Sequence, residues 1–122
     1  MPYILSQEAM KGILILRFYG AVNPMEHLQA LNDIVRKCRE YHFRKILIDA
    51  REPSQPMTAA YRQTFESTIS DMSPSRDLRV AYLFENTERE GLSEGEKRKP
   101  KGLRTELFYK MEEASQWLIR DD

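Results

Sequence analysis

An α/β domain with a mixed sheet of four or five strands and three or four helices is the architecture the sequence predicts. Three observations predict it. Lys45-Ile46-Leu47-Ile48-Asp49 is an unalternated aliphatic run ending in charge and proline, the pattern of a central strand covered on both faces. Elsewhere apolar residues recur at spacings of three and four between strand-like runs, so helices alternate with strands. The first two strand-like runs are separated by little more than Lys11-Gly12, too short for a parallel crossover.

Taken in order, residues 3–10 read as a first strand and 13–20 as a second, more hydrophobic one. They form an N-terminal antiparallel hairpin whose first strand lies at the edge of the sheet. Asn23-Pro24-Met25-Glu26 then announces a helix, with Asn at the N-cap, Pro at N1 and Glu at N3. Met25, Leu28, Leu31, Val35 and Cys38 make its apolar stripe, widened by Ile34. The central strand follows, ending with Asp49, Arg51 and Glu52 at its carboxyl end. A second helix begins near Met57 or Thr58, with Met57, Tyr61, Phe65, Thr68, Ile69 and Met72 sharing a face, and stops before Pro74. Leu78 to Phe84 is the next strand, a parallel neighbour reached by a right-handed crossover. Residues 85–104 read as a charged mobile excursion, with five Glu and one Arg in 85–96 followed by five cations and no acid in 97–104. Residues 105–109 make a short strand and Met111 to Leu118 the last helix.

The chain has 122 residues, which bounds it to a single domain over 1–122. Lys plus Arg and Asp plus Glu both number 19, so the formal charge is zero, which argues against a dedicated nucleic-acid binder and removes one barrier to self-association. The single cysteine, Cys38, permits no internal disulfide. No apolar run reaches membrane-spanning length and the N-terminus lacks the features of a signal peptide, so the expected location is cytoplasmic.

The order of elements, with particular residues, resembles the SpoIIAA-like family of the STAS fold, which is similar in architecture to CRAL-TRIO domains. The resemblance rests on Gly20 closing the second strand before the capped helix at Asn23-Pro24, and on the aliphatic strand Ile46-Leu47-Ile48-Asp49. It also rests on the strand opening Arg79-Val80-Ala81 and on Phe108 followed by Glu112-Glu113-Ala114 and Trp117-Leu118. The family's antagonists of anti-sigma factors carry a phosphorylatable serine just after the strand acid. Here Asp49 is followed by Ala50, Arg51, Glu52 and Pro53, and Ser54 comes late. The resemblance therefore implies a non-enzymatic regulatory or protein-interaction domain without the serine phospho-switch, acting through a protein partner or self-association. The alternative it implies is a carrier or sensor of a small apolar ligand held between helices and sheet.

The candidate binding residues are Asp49, Arg51, Glu52, Ser54, Thr58, Tyr61 and Phe65, grouped around the loop after the central strand and the adjoining helix. Each has a plainer reading: turn-forming for Asp49, an ion pair of Arg51 with Glu52 or a neighbour, helix capping for Ser54 and Thr58, core for the aromatics. Met25, Met57, Met72, Met111, Phe108 and Trp117 are the further side chains that would line a carrier's pocket. Lys97, Arg98, Lys99, Lys101 and Arg104 form a candidate basic patch for an acidic partner, RNA or anionic lipid, or a solvated run neutralised by the preceding acids. His27 and His42 lack companions at metal-ligand spacing, and Cys38 lies on an apolar stripe. With no phosphate loop or nucleophile elbow either, the expectation is no cofactor, no metal and no catalytic residue.

Overall fold

The computed structural model describes residues 3–8, 11–53, 59–72, 78–84 and 103–120. The strands are β1 (Tyr3–Glu8), β2 (Ile13–Gly20), β3 (Lys45–Pro53), β4 (Leu78–Leu83) and β5 (Leu103–Phe108). The helices are α1 (Pro24–Tyr41), α2 (Ala59–Met72) and α3 (Met111–Ile119). One five-stranded sheet has the order β1-β2-β3-β4-β5, with β1 antiparallel to β2 and every other neighbouring pair parallel. The hairpin and the parallel pairing of β3 with β4 thus stand as the sequence predicts.

Local chemistry explains the first half of the chain. Gly12 holds φ +70°, open to glycine and costly for other residues, and its N–H and that of Lys11 both donate to the Glu8 carbonyl. At α1 the Glu26 N–H donates to Asn23 Oδ1 (2.8 Å) and the Asn23 N–H to Glu26 Oε1 (2.9 Å), a complete capping box. Replacing Asn23 with Ala is expected to cost about 1 kcal/mol. A thermal melt of that variant checks it, and an unchanged midpoint would contradict it. The helix ends at His42, whose left-handed backbone lets its N–H donate to the Cys38 carbonyl (2.8 Å).

The sheet carries α1 and α2 on one face and α3 on the other. Leu14, Leu16 and Phe18 of β2, Ile46 and Ile48 of β3, and Val80 and Tyr82 of β4 pack against Leu31 and Ile34 of α1 and Phe65 and Ile69 of α2. Ile13, Leu47, Ala81 and Leu83 pack against Ala114 and Leu118 of α3. β3 and β4 therefore have both faces covered, and each fully buried aliphatic there contributes about 1.5–3 kcal/mol.

Four expectations need correction. The stripe of α1 is rotated: Met25 and Leu28 are 63% and 51% exposed, while Ala30, Leu31, Ile34 and Cys38 are buried. His27 joins that face, its ring edge-on to Phe18 at 5.1 Å. On α2 the buried face includes Arg62 and Glu66 beside Phe65 and Ile69. β3 runs on through Asp49 to Pro53, and β5 begins at Leu103, so Leu103 and Arg104 belong to the sheet. The rest of the charged excursion and the start of the second helix at 57–58 lie outside the described residues, as do the side chains of Tyr61 and Met72.

Candidate functional site at the carboxyl edge of the sheet

Asp49 is a strand residue, not a turn residue, and is only 1% exposed. Between Arg17↔Asp49 and Tyr19↔Glu52 the register advances two residues on β2 and three on β3, so β3 carries a bulge. At the bulge the Arg51 N–H donates to Asp49 Oδ1 (3.2 Å). The Arg51 guanidinium also grips the carboxylate with both prongs, Nε to Oδ1 at 3.0 Å and Nη2 to Oδ2 at 2.9 Å. Arg17 adds a further bond from Nε to Oδ2 at 2.9 Å.

Burial alone pushes the Asp49 carboxyl up. The hydrogen bonds and charge of Arg51, with Arg17, outweigh it and hold the group below its usual pKa. Contact with Tyr19 and then Asp49 raises the pKa of Arg17. A carboxylate so held, both oxygens occupied, is an anchor for two arginines and is poorly suited to general-base work near neutrality. Two guanidiniums thus share one carboxylate. Arg17 and Arg51 are the more accessible members, their side chains 39% and 35% exposed.

Of the sequence-predicted residues, the structure brings Asp49 and Arg51 together. Glu52 follows, exposed, opposite Tyr19. Phe65 lies away from them in the core under α2, 1% exposed and edge-on to Tyr82. Ser54 and Thr58 lie outside the described residues, and so do Lys97, Arg98, Lys99 and Lys101; Arg104 is exposed on β5. The strand order offers no reversal of direction among the parallel strands, the feature that opens a crevice in doubly wound sheets. The methionine and aromatic set of a carrier's pocket is split. Met25 points to solvent, Phe65 belongs to the α2 face, and Met111, Phe108 and Trp117 to the α3 face.

Three polar arrangements escaped the sequence. Arg17 heads one, a single cation inside an apolar strand. Arg79 makes the second: 7% exposed, it donates from Nη1 to the carbonyls of Trp117 (2.9 Å) and Arg120 (2.7 Å) at the end of α3. The third centres on Tyr82, whose hydroxyl donates to buried Glu66 Oε2 at 2.8 Å, with Arg62 5.8 Å from its ring centre.

Cys38 is buried in the core, and burial pushes its thiol up to about 11, so it is no nucleophile at neutral pH. Burial lowers the pKa of His27. Among the described residues no group of three His, Cys, Asp or Glu is placed to hold a metal ion, and no helix is long and apolar enough to cross a membrane. Between α3 and the β2–β3 surface lies an open groove of about 680 Å³, with Ile13, Ile15 and Leu47 as its floor and Met111 and Ile119 among its walls. It differs from the enclosed pocket expected of a carrier in being open along one side. Comparison with protein-family models, curated proteins and solved structures found no match.

Proposed function

We propose that this chain is a non-enzymatic interaction domain of the SpoIIAA-like, STAS type, working without a serine switch, and that its contact element is the outer edge of β1. The observation that carries the reading is the character of that edge. Among the described residues Tyr3–Glu8 pairs with β2 on one side only, in unbroken register, and the strand contains no proline, lysine or bulge to discourage a further strand. Ile4 on it is 53% exposed. The strand is also well anchored from behind, because the Tyr3 hydroxyl donates to Asp33 Oδ2 of α1 (2.7 Å). Burial, and then that bond, push the Tyr3 pKa up to about 12, so the tie persists across the neutral range. Regulation through a serine after the strand acid finds no support, since Ala50 follows Asp49 and is buried.

A second copy of the chain is the partner this edge suits most directly. A twofold axis normal to the sheet pairs residues of like parity, setting Leu5 on Leu5 or Ser6 on Ser6. Ile4 then meets Ser6 or Glu8 of the other copy. Zero net charge adds no repulsion between copies. Sedimentation velocity over a rising concentration series tests the reading with wild type and Ile4→Glu. The introduced carboxylate has Arg17 beside it in the monomer, since Ile4 pairs with Arg17 in register, and in the dimer it approaches Glu8. Wild type is expected to move toward dimer and the variant to stay monomeric with its melting temperature retained. Equal association by both chains would count against the β1 edge.

A further inference from the structure

We infer that the groove beside α3 binds a free medium-chain carboxylic acid, its carboxylate on Arg17 and its chain along Ile15, Ile13 and Leu47 toward Ile119. The groove lies on the α3 face of the sheet and borders the β1 edge, with which it shares Glu8.

The floor follows from the pleat. Alternate residues of β2 face opposite sides of the sheet. Leu14, Leu16 and Phe18 go to the α1 and α2 side, which leaves Ile13, Ile15 and Arg17 on the α3 side. α3 lies across β3, β4 and β5, so this flank of the sheet has helix on one side of it and an opening on the other. The result is an open trough of about 680 Å³ whose accessible apolar side chains are Ile15, Met111 and Ile119, with Ile13 and Leu47 beneath them at 2% exposure and Ser115 and Gln116 on the α3 wall.

The polar end follows from the register. Arg17 lies four residues beyond Ile13, about 13 Å at strand rise, a span suited to a chain of medium length. Asp49 takes its Nε donor and so fixes the plane of the guanidinium, and Tyr19 also acts on it. A guanidinium has five donors, so Arg17 can still fork onto a ligand carboxylate. Arg17 and Arg51 share Asp49, so the cation the groove presents is Arg17 itself.

The remaining charges favour a single negative charge on the ligand. Glu8 and Lys11 line the far end and offset each other. Glu112 is exposed at the start of α3, which follows the carboxyl end of β5, so it shares the Arg17 end. An acid there opposes a dianion such as a phosphate monoester more than a carboxylate. Ile119, 40% exposed, closes the opposite end with apolar surface.

The test is a titration of the full chain, followed by amide NMR shifts and calorimetry, with decanoate, decanol and decyltrimethylammonium below their micelle concentrations. Decanoate is expected to saturate at one site and shift the amides of Ile13, Ile15, Leu47 and Ile119. It should bind about tenfold tighter than decanol, the worth of one charge-assisted hydrogen bond. Arg17→Gln should erase that preference, and Ile119→Glu should weaken decanoate about tenfold while leaving the melting temperature in place. If Arg17→Gln fails to fold, the head-group series and Ile119→Glu decide. Equal binding of the three head groups, no saturable shift, or wild-type affinity in Ile119→Glu would each overturn the inference. So would flotation with phosphatidylglycerol vesicles without decanoate binding, which would make the trough a membrane-contacting surface.

Discussion

Replacing Arg79 with methionine is expected to lower the unfolding free energy by about 3 kcal/mol. α3 has only nine residues, and Lys110 at its N-cap makes no side-chain capping bond. A helix so short is marginal alone and depends on what it is packed and tied to. Its last turn leaves carbonyls without partners in the helix. Arg79 supplies donors to them and sets a positive charge at the negative end of the helix dipole. Its guanidinium also lies 5.8 Å from the Trp117 ring centre. Methionine keeps the stem and loses all of this. Arg79 also stands in register between Lys45 and Arg104, a row of three cations across the sheet, so losing its charge relieves some repulsion and offsets a small part of the loss. Urea denaturation measures the effect as a lower midpoint at an unchanged slope. Arg79→Lys should recover part of the loss, since one ammonium can replace the charge but not the fork. A methionine variant within about 0.5 kcal/mol of wild type would mean that Arg79 does not hold α3 in place.

Asp49→Ala is expected to cost about 2 kcal/mol at neutral pH, the scale of hydrogen bonds to a charged group. That is below the penalty for breaking a fully buried pair, because Arg17 and Arg51 are partly exposed and hydrate when released. The pH dependence has a definite sign. The folded pKa of Asp49 lies below its ordinary value, so the carboxylate's contribution is present above the unfolded pKa of about 3.9 and is lost as pH falls through the folded value. The gap between wild type and Asp49→Ala should therefore hold steady over the neutral range and narrow in acid below about pH 4. Denaturation curves at the two ends check it. A gap that stays constant into acid would mean that ionic pairing contributes nothing at this position.

Much of the architecture was legible because its causes are local. Gly12 with the short connection around it dictates a hairpin, the Asn23–Glu26 box dictates a helix start, and the run Ile46–Ile48 dictates a strand covered twice. The stripe of α1 was misjudged because 25-28-31-35-38 and 27-30-31-34-38 are both one helical face. Docking against Phe18 selects the second, where Ala30 allows close approach. The candidate site was only half legible. Arg51 sits two residues from the acid it holds, so its pairing could be guessed. Arg17 is thirty-two residues from Asp49, and Arg79 is thirty-eight or more from the carbonyls it serves. A charge inside an apolar run has no periodic signal, and its partner is set by register alone. Arg62 and Glu66 escaped for the same reason, since helical spacing alone does not reveal that Tyr82 waits beneath them.

Amide hydrogen exchange across a concentration series tests the β1 edge most directly. An edge strand exposes every other N–H to water, so in dilute solution the peptide spanning Tyr3–Glu8 should exchange faster than those from β3 and β4. If two copies pair through β1, its exchange slows as concentration rises while β5 and α3 stay unchanged, and Ile4→Glu abolishes the slowing. Association with β1 exchange unaltered would place the contact elsewhere and contradict a dimer built on this edge.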